Sequence, residues 1–310
     1  MAQILIAEEI RDLIEPDLLA EHSVEWMGRG RKTPSGGYEA LVPLLDRTIG
    51  PSELAGLPQL KVVANCAVGV DNLDLDAIRG RGVIATHTPN VLTDATADLA
   101  WTLILGVARR VKEGQALLEE GWSGWHPTQL LGVELSGRTL GIVGAGRIGQ
   151  AVGRRALGFG MRIGYCSRTP KPEFERETGA VMMELDQLLV QSDVVSIHTP
   201  LGESTKHLID EKRIGLMKKR AILVNTARGG VVDESALIRA LDRGLLFGAG
   251  LDVFEGEPDV RREILAHPSI LSLPHLGSAT ERTRRAMAGL AIENVSAVLR
   301  GDPPPTPVGR

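Results

Sequence analysis

Aromatic and cysteine residues are scarce in this chain: of its 310 residues, 3% are aromatic and two are cysteines. So few rings leave the core to Leu, Ile, Val and Ala, and they make the position of each of the four tryptophans informative. The cysteines, Cys66 and Cys166, are too isolated for a disulfide framework or a CxxC metal site. Each lies in an apolar run, where a small buried side chain packs well. We therefore expect two core cysteines and no metal.

Long apolar runs and long basic runs are absent as well. No uninterrupted apolar run reaches the ~18 residues that a membrane span requires. The N-terminus, MAQILIAEEI, has no basic residue before its apolar stretch, so it predicts a first strand and not a signal peptide. The 35 basic residues, against 39 acidic ones, give a net charge of −4 and form no run that would follow a nucleic-acid backbone. We expect a cytoplasmic protein with neither a membrane nor a nucleic acid as its partner.

Short apolar runs rich in β-branched residues alternate with longer segments of helical period. Continuous apolar strands, without in-and-out alternation, are typical of parallel sheets that helices cover on both faces. Because a single core rarely grows beyond about 250 residues, the length favours two domains, each a doubly wound α/β fold. The predicted strands lie in QILIA, EALVPLL, KVVANCA and GVIATHTP in the first third, and in TLGIVGAG, RIGYCS, DVVSIHTP, AILVNTA and LFGAGLDV after it.

Two long helical patterns help to place the domain boundaries. The pattern from Asp94 to about Glu120 is too long for an ordinary crossover helix and predicts a connector or an interface. A second helix is predicted from about Ala279 to Gly301. If that helix packs on the N-terminal lobe, the first domain is discontinuous. We predict one domain of residues 1–98 and 278–310 and a second domain of residues 99–277.

The tripeptide His-Thr-Pro closes two of the predicted strands, at residues 87–89 and 198–200. Proline ends a strand because it has no N–H group to donate to the neighbouring strand. The repeat agrees with two similar lobes, and chance repetition of a tripeptide is the alternative.

A glycine-rich turn is the clearest ligand-binding motif. In TLGIVGAGRIGQAVGRRALGFG, a predicted strand is followed by Gly144, Gly146 and Gly149 in the spacing GxGxxG, and then by a helix. The first glycine makes the tight turn, the second lets the backbone approach a pyrophosphate, and the third lets the helix pack closely on the strand. The N-terminus of the helix offers free N–H groups to the anion. The flanking strand, helix and second strand favour a dinucleotide site over a merely tight turn.

The segment YCSRTPK, residues 165–171, ends the second strand of this unit, where a protein that binds NAD usually has an acidic residue. Ser167, Arg168 and Thr169 occupy that place. A guanidinium and two hydroxyl groups suit the 2′-phosphate of NADP, which a carboxylate would repel, and Lys171 adds a more distant positive charge. We expect NADP(H) to be preferred, with NAD(H) possible. The alternative is that Arg168 is one more solvated surface cation.

From about Leu57 to Val308, the chain resembles the D-isomer-specific 2-hydroxyacid dehydrogenases. The segments that carry the resemblance are NCAVGVDNLDLDAI, TPNVLTDATADLA, GRTLGIVGAGRIGQAV, VNTARGGVVDESAL, AGLDVFEGEP and LPHLGSAT. Together, VGVDN, NVLTDATADLAW, GWSGWHP and HLGSAT are most similar to the glyoxylate/hydroxypyruvate reductases of that family. The resemblance implies a flavodoxin-like substrate domain, a Rossmann cofactor domain, and an NAD(P)-dependent enzyme for small 2-keto and 2-hydroxy acids.

Reduction of a 2-keto acid requires a cation for the carboxylate, a proton donor for the carbonyl oxygen, and a hydride held away from water. The resemblance assigns Arg228, in TARGG, to the carboxylate and His275, in LPHLGS, to the proton. Glu257, in EGEP, would bond to the other ring nitrogen of the histidine and fix its tautomer. The ordinary alternatives are a helix cap, a partly exposed loop histidine and a turn residue. Because the three motifs follow the family's order, we expect all three in the active site.

The resemblance implies further contacts. Backbone N–H groups at Val68 and Gly69 would touch the substrate carboxylate. Ser278 would bond to the hydroxymethyl group of hydroxypyruvate, unless it caps the following helix. Thr96 would contact the cofactor, and Asp252 would meet the carboxamide of the nicotinamide. The remaining implied cofactor contacts are Arg147, Ile148, Thr199, Pro200, Thr226, Ala227 and Gly277.

Trp122 and Trp125 lie in a polar, Gly-rich stretch after the first long helix, an unusual place for large apolar rings unless another surface covers them. In similar reductases this arm wraps the partner subunit, and the tryptophan at the position of Trp125 reaches the partner's substrate pocket. A homodimer is therefore expected. The alternative is that both rings fold onto their own lobe.

The leading hypothesis is an NADPH-preferring reductase that converts glyoxylate to glycolate and hydroxypyruvate to D-glycerate. One alternative is another D-2-hydroxyacid dehydrogenase, acting on pyruvate, phosphoglycerate or a bulkier 2-keto acid, although the usual phosphoglycerate enzymes often carry extra regulatory domains. The other is a dinucleotide-gated corepressor, which would bind partner peptides and reduce glyoxylate negligibly.

Overall fold

The computed structural model describes residues 1–309. It divides into two compact units, one formed by Met1–Leu92 with the segment from Ser278 onward, and the other by Thr93–Gly277. The first break falls after residue 92, not after residue 98 as predicted, because a helix begins at Thr93 and belongs as a whole to the second unit. Within residues 1–309, no helix has both the length and the apolar character to cross a membrane.

Strands and helices alternate along most of the chain. The strands are β1 (Ala2–Ala7), β2 (His22–Met27), β3 (Ala40–Val42), β4 (Val62–Ala64), β5 (Ile84–Thr86), β6 (Thr139–Val143), β7 (Arg162–Cys166), β8 (Val181–Met182), β9 (Val194–Ile197), β10 (Ala221–Asn225), β11 (Leu246–Leu251) and β12 (Ile270–Ser272). The α-helices are α1 (Pro51–Ala55), α2 (Leu75–Gly80), α3 (Thr93–Ala108), α4 (Val111–Gly121), α5 (Arg147–Ala156), α6 (Pro172–Thr178), α7 (Leu185–Gln191), α8 (Glu211–Leu216), α9 (Glu234–Asp242), α10 (Arg262–Ala266) and α11 (Glu281–Arg300). Short 3₁₀ helices are Glu8–Leu13, Pro16–Leu19, Leu157–Phe159 and Gly229–Val231.

The first unit is built on a five-stranded parallel sheet in the order β2-β1-β3-β4-β5. Its central strands β3 and β4 are apolar and buried along their whole length. The long helix α11 packs on these two strands. The order is that of flavodoxin-like folds, in which the chain starts inside the sheet and reverses direction after its second strand.

The second unit contains a seven-stranded sheet in the order β12-β11-β10-β9-β6-β7-β8, again parallel throughout. The chain begins inside this sheet at β6, adds β7 and β8 on one side, and then crosses to add β9 to β12 on the other. Ligands bind outside the carboxyl ends of the strands at such a reversal. The two sheets confirm the predicted fold class of two doubly wound parallel-sheet domains, one flavodoxin-like and one of Rossmann type.

Three strands were not predicted: β2, β8 and β12. Each lies at an edge of its sheet. In β2, half-buried residues alternate with exposed ones, and β8 consists of two exposed residues. β2 therefore lacks the continuous apolar pattern that identifies central strands, β8 is too short to show it, and β12 buries only Ile270.

The single helix predicted from Asp94 to about Glu120 is two helices, α3 and α4. The break lies at Arg110, whose φ of 55° is in the left-handed region. In the described part of the chain, the carbonyl oxygen of Ala108, near the end of α3, does not bond to a further helical N–H. It accepts from the N–H of Val133, a residue distant in sequence, at 2.9 Å. The prediction of one helix is wrong because this contact leaves no signal in the local pattern.

The C-terminal helix α11 begins at Glu281, slightly later than predicted, and ends at Arg300. Its N-cap is Thr280, whose hydroxyl oxygen accepts a hydrogen bond from the Thr283 N–H at 3.3 Å. The alternative in which Ser278 caps this helix is therefore wrong.

The few aromatic and cysteine side chains divide between core and surface. Trp101, in α3, is buried, and its ring N–H donates to the carbonyl oxygen of Val152 at 3.0 Å. Burial raises the pKa of the Cys66 thiol to about 12, so this cysteine packs as a small apolar side chain. Trp122 and Trp125 are 49% and 78% exposed on the segment after α4. The alternative in which both rings fold onto their own lobe is wrong.

Candidate active site

The glycine turn joins β6 to α5. Gly144 has a φ of 97°, in the left-handed region that favours glycine. Its N–H donates to the carbonyl oxygen of the half-buried Cys166 at 2.9 Å, at the end of β7. A Cβ atom at Gly144 would lie 2.8 Å from the backbone of His198, which follows β9. The ends of three neighbouring strands thus enclose the turn, and glycine is the residue that fits.

Glycine is required at the two later positions of the turn for different reasons. A Cβ atom at Gly149 would overlap the carbonyl oxygen of Gly144 and lie 2.9 Å from Ile142, so glycine here lets α5 pack directly on β6. A Cβ atom at Gly146 would have no protein atom within 4 Å. Packing within the protein therefore does not explain Gly146, whereas the close approach of a ligand does.

Helix α5 begins without a side-chain cap. Gly146 is its N-cap, and the first turn contains no acidic residue, although acids are favoured there. Arg147, a cation, and Ile148 are the first helical residues, and their N–H groups have no side-chain acceptor in the cap. A helix end of this kind attracts an anion through its N–H groups and its dipole.

The strands beside the turn end in polar residues. Thr226, directly after β10, is buried, and its hydroxyl has no hydrogen-bond partner within residues 1–309. A buried hydroxyl without a partner is costly, and a bound ligand could supply the partner. Ala227 comes next, and Thr199 and Pro200 lie just beyond β9. Together with the glycine turn, this unpaired hydroxyl fits the dinucleotide that the glycine spacing predicts.

The loop after β7 presents cationic and hydroxyl groups. Ser167 is half-buried, and Arg168 and Thr169 are exposed. The Lys171 ammonium donates to the Thr169 hydroxyl at 2.8 Å, which brings a second positive charge to the loop. In the part of the chain that the structure describes, Arg168 forms no ion pair. The loop is therefore a cationic surface that no carboxylate neutralises.

His275 and Glu257 form the pair that the sequence predicts. Nδ1 of His275 lies 2.8 Å from Oε2 of Glu257, and both side chains are partly exposed. Because a carboxylate only accepts hydrogen bonds, Nδ1 carries the proton that this contact shares. Within residues 1–309, Nε2 of His275 has no hydrogen-bond partner, so it is free to exchange a proton with a ligand.

Asp252 holds the loop that carries the histidine. Its carbonyl oxygen accepts from the His275 N–H at 2.9 Å, and its carboxylate oxygens accept from the N–H groups of Leu276 at 2.7 Å and Gly277 at 2.8 Å. Burial raises the pKa of Asp252 to about 6, and the two N–H bonds oppose that rise. The hydroxyl of Thr96 donates to the Gly277 carbonyl oxygen at 3.1 Å. Asp252 and Thr96 thus support the loop, and their predicted cofactor contacts stay predictions.

Arg228 lies in the turn after β10, beside the loop of Glu257. Gly229 permits this approach, since a Cβ atom there would overlap the backbone of Phe254 and Glu255. Burial opposes ionisation of Glu257, but His275, the Phe254 N–H and Arg228 together hold its pKa below the ordinary value. Arg228, Glu257 and His275 are thus brought to one place in the second unit.

Glu234 is a buried acid that the sequence reasoning missed. Its Oε1 accepts from the Glu255 N–H at 2.8 Å, and its Oε2 has no hydrogen-bond partner within residues 1–309. Burial raises its pKa. As the first residue of α9 it resembles an ordinary N-terminal acid, and only its spatial contact with the EGEP loop reveals that it supports Glu257.

The first unit holds the other predicted substrate contacts. Val68 and Gly69 lie in the loop after β4, and both are half-buried. Ser278, also half-buried, begins the C-terminal part of this unit. Their contacts with a substrate stay predictions.

Comparison with known proteins identifies similar chains over nearly the whole length. Residues 101–277 match the family model described as D-isomer specific 2-hydroxyacid dehydrogenase, NAD binding domain. A glyoxylate reductase of Thermococcus litoralis is 50% identical over 277 residues, which cover 88% of this chain and 84% of that protein. The crystal structure of TT0316 protein from Thermus thermophilus covers both chains fully, with 44% identity and a TM-score of 0.89. An NADPH-dependent glyoxylate/hydroxypyruvate reductase from Sinorhizobium meliloti has a TM-score of 0.88 at 32% identity, covering 100% of this chain and 98% of that one.

The two glycines of the turn should respond differently to an added methyl group. Gly149→Ala forces α5 away from β6, and we expect overpacking to cost about 1–3 kcal/mol of stability. Gly146→Ala meets no protein atom, so its melting temperature should stay near that of the wild type, while NADPH binding weakens about tenfold or more because the methyl group occupies the ligand's approach. Thermal unfolding without ligand and fluorescence titration with NADPH measure both effects. Unchanged NADPH affinity in Gly146→Ala would contradict the assigned role.

Proposed function

The chain belongs to the D-isomer specific 2-hydroxyacid dehydrogenase family, and we propose that it reduces glyoxylate to glycolate and hydroxypyruvate to D-glycerate, with NADPH as the preferred reductant. It is an oxidoreductase whose cofactor is a nicotinamide dinucleotide, since the matched domain is the NAD-binding domain. The observation that carries the proposal is the contact of His275 with Glu257 at 2.8 Å, with Nε2 free, in the unit that holds the glycine turn. The names of the similar glyoxylate reductases support the substrate.

In this proposal the second unit binds the cofactor and carries Arg228 and His275, and Val68, Gly69 and Ser278 of the first unit supply further contacts to the substrate. The bound dinucleotide supplies a hydride to the substrate's carbonyl carbon. Gly146 and the first N–H groups of α5 hold its pyrophosphate, and the hydroxyl of Thr226 gains the partner that it lacks. Ser167, Arg168 and Thr169 hold the 2′-phosphate, because the loop offers a guanidinium and two hydroxyl groups and no carboxylate.

His275 acts as the general acid. Its Nε2 would donate a proton to the substrate's carbonyl oxygen, so that reduction would give an alcohol and not an alkoxide. Glu257 accepts the hydrogen bond from Nδ1 at 2.8 Å and so fixes the ring with Nε2 as the nitrogen that is left for the substrate. The hydrogen bonds that Asp252 accepts from the backbone keep the His275 ring in the orientation that this transfer needs.

The substrate carboxylate binds cationic and N–H groups. Arg228 supplies the guanidinium, which can bind both carboxylate oxygens. The N–H groups of Val68 and Gly69 donate to the carboxylate from the first unit, and Ser278 bonds to the hydroxymethyl group that distinguishes hydroxypyruvate from glyoxylate. Small residues of this kind leave room for a short side chain on the substrate.

We further propose that a second copy of this chain covers the arm, residues 111–131, which consists of α4 and the segment after it. Helix α4 buries none of its own residues, which is unusual for an amphipathic helix. Leu118, Trp122, Trp125 and Leu131 are all exposed on α4 and the segment after it. Large apolar side chains exposed together on one segment are typical of an interface, and in a homodimer Trp125 would reach the partner's substrate.

Removing the proposed acid should abolish most of the turnover. His275→Ala is expected to lower kcat for glyoxylate by on the order of 100-fold or more while NADPH affinity stays nearly constant, since the ring acts in proton transfer. His207→Ala is the matched control, because His207 forms a similar pair with Glu255 at 2.5 Å on the surface. We expect it to keep kcat within a few-fold of the wild type.

Steady-state rates with glyoxylate, hydroxypyruvate, pyruvate and a bulkier 2-keto acid complete the test. Wild-type turnover in His275→Ala would place the acid elsewhere. A preference for long apolar side chains would contradict the proposed substrate, and NADPH binding without any turnover would favour a corepressor.

Exchanging the charge of the loop after β7 should reverse the cofactor preference. The double variant Ser167→Asp, Arg168→Ala places a carboxylate beside the ribose and removes the guanidinium, so we expect the ratio of kcat/KM for NADPH over NADH to fall by at least about tenfold. Arg176→Ala, which removes an exposed arginine of the adjacent α6, is the control and should leave the ratio unchanged. An unchanged ratio in the double variant, or a wild type that prefers NADH, would show that this loop does not bind the phosphate.

Charge on the arm should separate the subunits. We expect the wild type to sediment at about twice the chain mass of 33.3 kDa, and Leu118→Glu with Trp122→Glu to sediment as a monomer, because two buried carboxylates would oppose association. Val190→Glu, at an exposed apolar residue on α7, is the control and should remain dimeric. Sedimentation velocity at micromolar concentration distinguishes these states, and a monomeric wild type would contradict the dimer.

A further inference from the structure

We propose that His87 is a positioning residue for the substrate carboxylate, because its ring fixes the direction of the Gly69 N–H group. The C-terminal tail, residues 303–309, in turn fixes His87. This inference rests on the proposed function, in which the N–H groups of Val68 and Gly69 bind that carboxylate. All of the groups involved belong to the first unit.

The loop after β4 is tied to the segment after β5 through its carbonyl groups. The carbonyl oxygen of Ala67 accepts from the Thr88 N–H at 2.9 Å. The carbonyl oxygen of Val68 lies 2.9 Å from Nδ1 of His87. Since a carbonyl oxygen can only accept, Nδ1 must be the protonated nitrogen and the donor. Both carbonyl groups therefore face the same neighbouring segment.

The direction of the N–H groups follows from the direction of these carbonyl groups. In a planar trans peptide, the C=O of one residue and the N–H of the next point in opposite directions. The N–H groups of Val68 and Gly69 therefore point away from the segment that holds Thr88 and His87. Neither of these N–H groups donates to another group in the described part of the chain. Successive N–H groups on one side of a loop form a concave site for an anion.

The position of His87 is set by the tail. Thr306 bonds to it twice: its carbonyl oxygen accepts from the His87 N–H at 3.2 Å, and its hydroxyl donates to the His87 carbonyl oxygen at 2.6 Å. Thr306 is itself held by the buried side chain of Asn294 in α11, with contacts of 2.8 and 3.0 Å. The Val308 N–H adds a bond to Ala85 in β5 at 2.8 Å. The tail thus acts on the substrate loop through one histidine ring.

The other His-Thr-Pro segment shows that this arrangement is specific to His87. His198 follows β9 in the same sequence context and is half-buried, and burial lowers its pKa to about 3. Its Nε2 lies 2.8 Å from the hydroxyl of Ser196 in its own strand. The repeat therefore marks two strand ends. Within residues 1–309, the ring of His87 contacts the proposed substrate-binding loop, and that of His198 does not.

Two substitutions at His87 separate the hydrogen bond from the ring. His87→Ala removes the donor, so the Gly69 peptide is free to turn, and we expect KM for glyoxylate to rise about tenfold. His87→Asn places an amide N–H close to the position of Nδ1 and should restore KM to within about threefold of the wild type. In both variants kcat should stay within about twofold, because the proton donor is untouched. The inhibition constant of oxalate, a small non-reacting dicarboxylate, should rise with KM.

Thr306→Val tests the contribution of the tail by a substitution that leaves His87 itself unchanged. It removes the hydroxyl bond to the His87 carbonyl oxygen and keeps the size of the side chain, so KM and the oxalate constant should rise in the same direction by a smaller factor. NADPH affinity, measured by fluorescence, should stay constant in all three variants.

The outcomes distinguish this inference from the function on which it rests. A wild type without glyoxylate turnover overturns both. An active wild type with unchanged KM and oxalate inhibition in His87→Ala overturns the role of His87 alone. The same holds if His87→Asn is as impaired as His87→Ala, or if kcat falls while KM does not change.

Discussion

The geometry of His275, the proposed proton donor, depends on Asp252. Three successive N–H groups, those of His275, Leu276 and Gly277, donate to the carbonyl and carboxylate oxygens of this one residue. Such wrapping requires the left-handed φ of 55° at His275, a conformation that costs of order 1–3 kcal/mol for a residue other than glycine. A buried carboxylate, for its part, is unstable unless it is hydrogen-bonded. The two unfavourable features offset each other, because the strained loop supplies the N–H groups that the buried charge requires.

The loop that carries Glu257 is anchored in a similar way. The buried carboxylate of Glu234 accepts from the Glu255 N–H, and Gly229 lets the turn of Arg228 lie against the same backbone. In both loops a carboxylate beneath the surface binds main-chain N–H groups. Glu257 accepts the Phe254 N–H through Oε1 at 2.7 Å, which leaves its Oε2 to pair with His275. Rigid support of this kind is what holds a proton donor in the geometry of transfer.

The sequence is sufficient to predict the central strands and the residues that lie in motifs. Gly144, Gly146 and Gly149 could be predicted because each glycine of the turn has a local geometric reason. The edge strands could not be predicted, because β2 alternates between half-buried and exposed residues, β8 has only two residues, and β12 buries only Ile270. The break at Arg110 depends on Val133, a contact distant in sequence. The support given by Glu234 also depends on such a contact, because nothing near it in the chain distinguishes it from an ordinary helix-start acid.

The loop after β7 has an exposed tip, whereas the loop of His275 is bonded to a buried carboxylate. This difference determines which substitutions each loop tolerates. Its ends are fixed in the core: Tyr165 is buried, its hydroxyl donates to Glu175 at 2.5 Å, and it accepts the Lys171 N–H at 2.8 Å. Its tip, Arg168 and Thr169, is exposed. Charge at the tip can therefore change without loss of buried packing, whereas the N–H groups of Leu276 and Gly277 bind the buried carboxylate of Asp252. If the function is as proposed, the choice of dinucleotide and the transfer of the proton depend on loops under different constraints: the first can vary in charge, and the second cannot move without leaving a buried carboxylate unpaired.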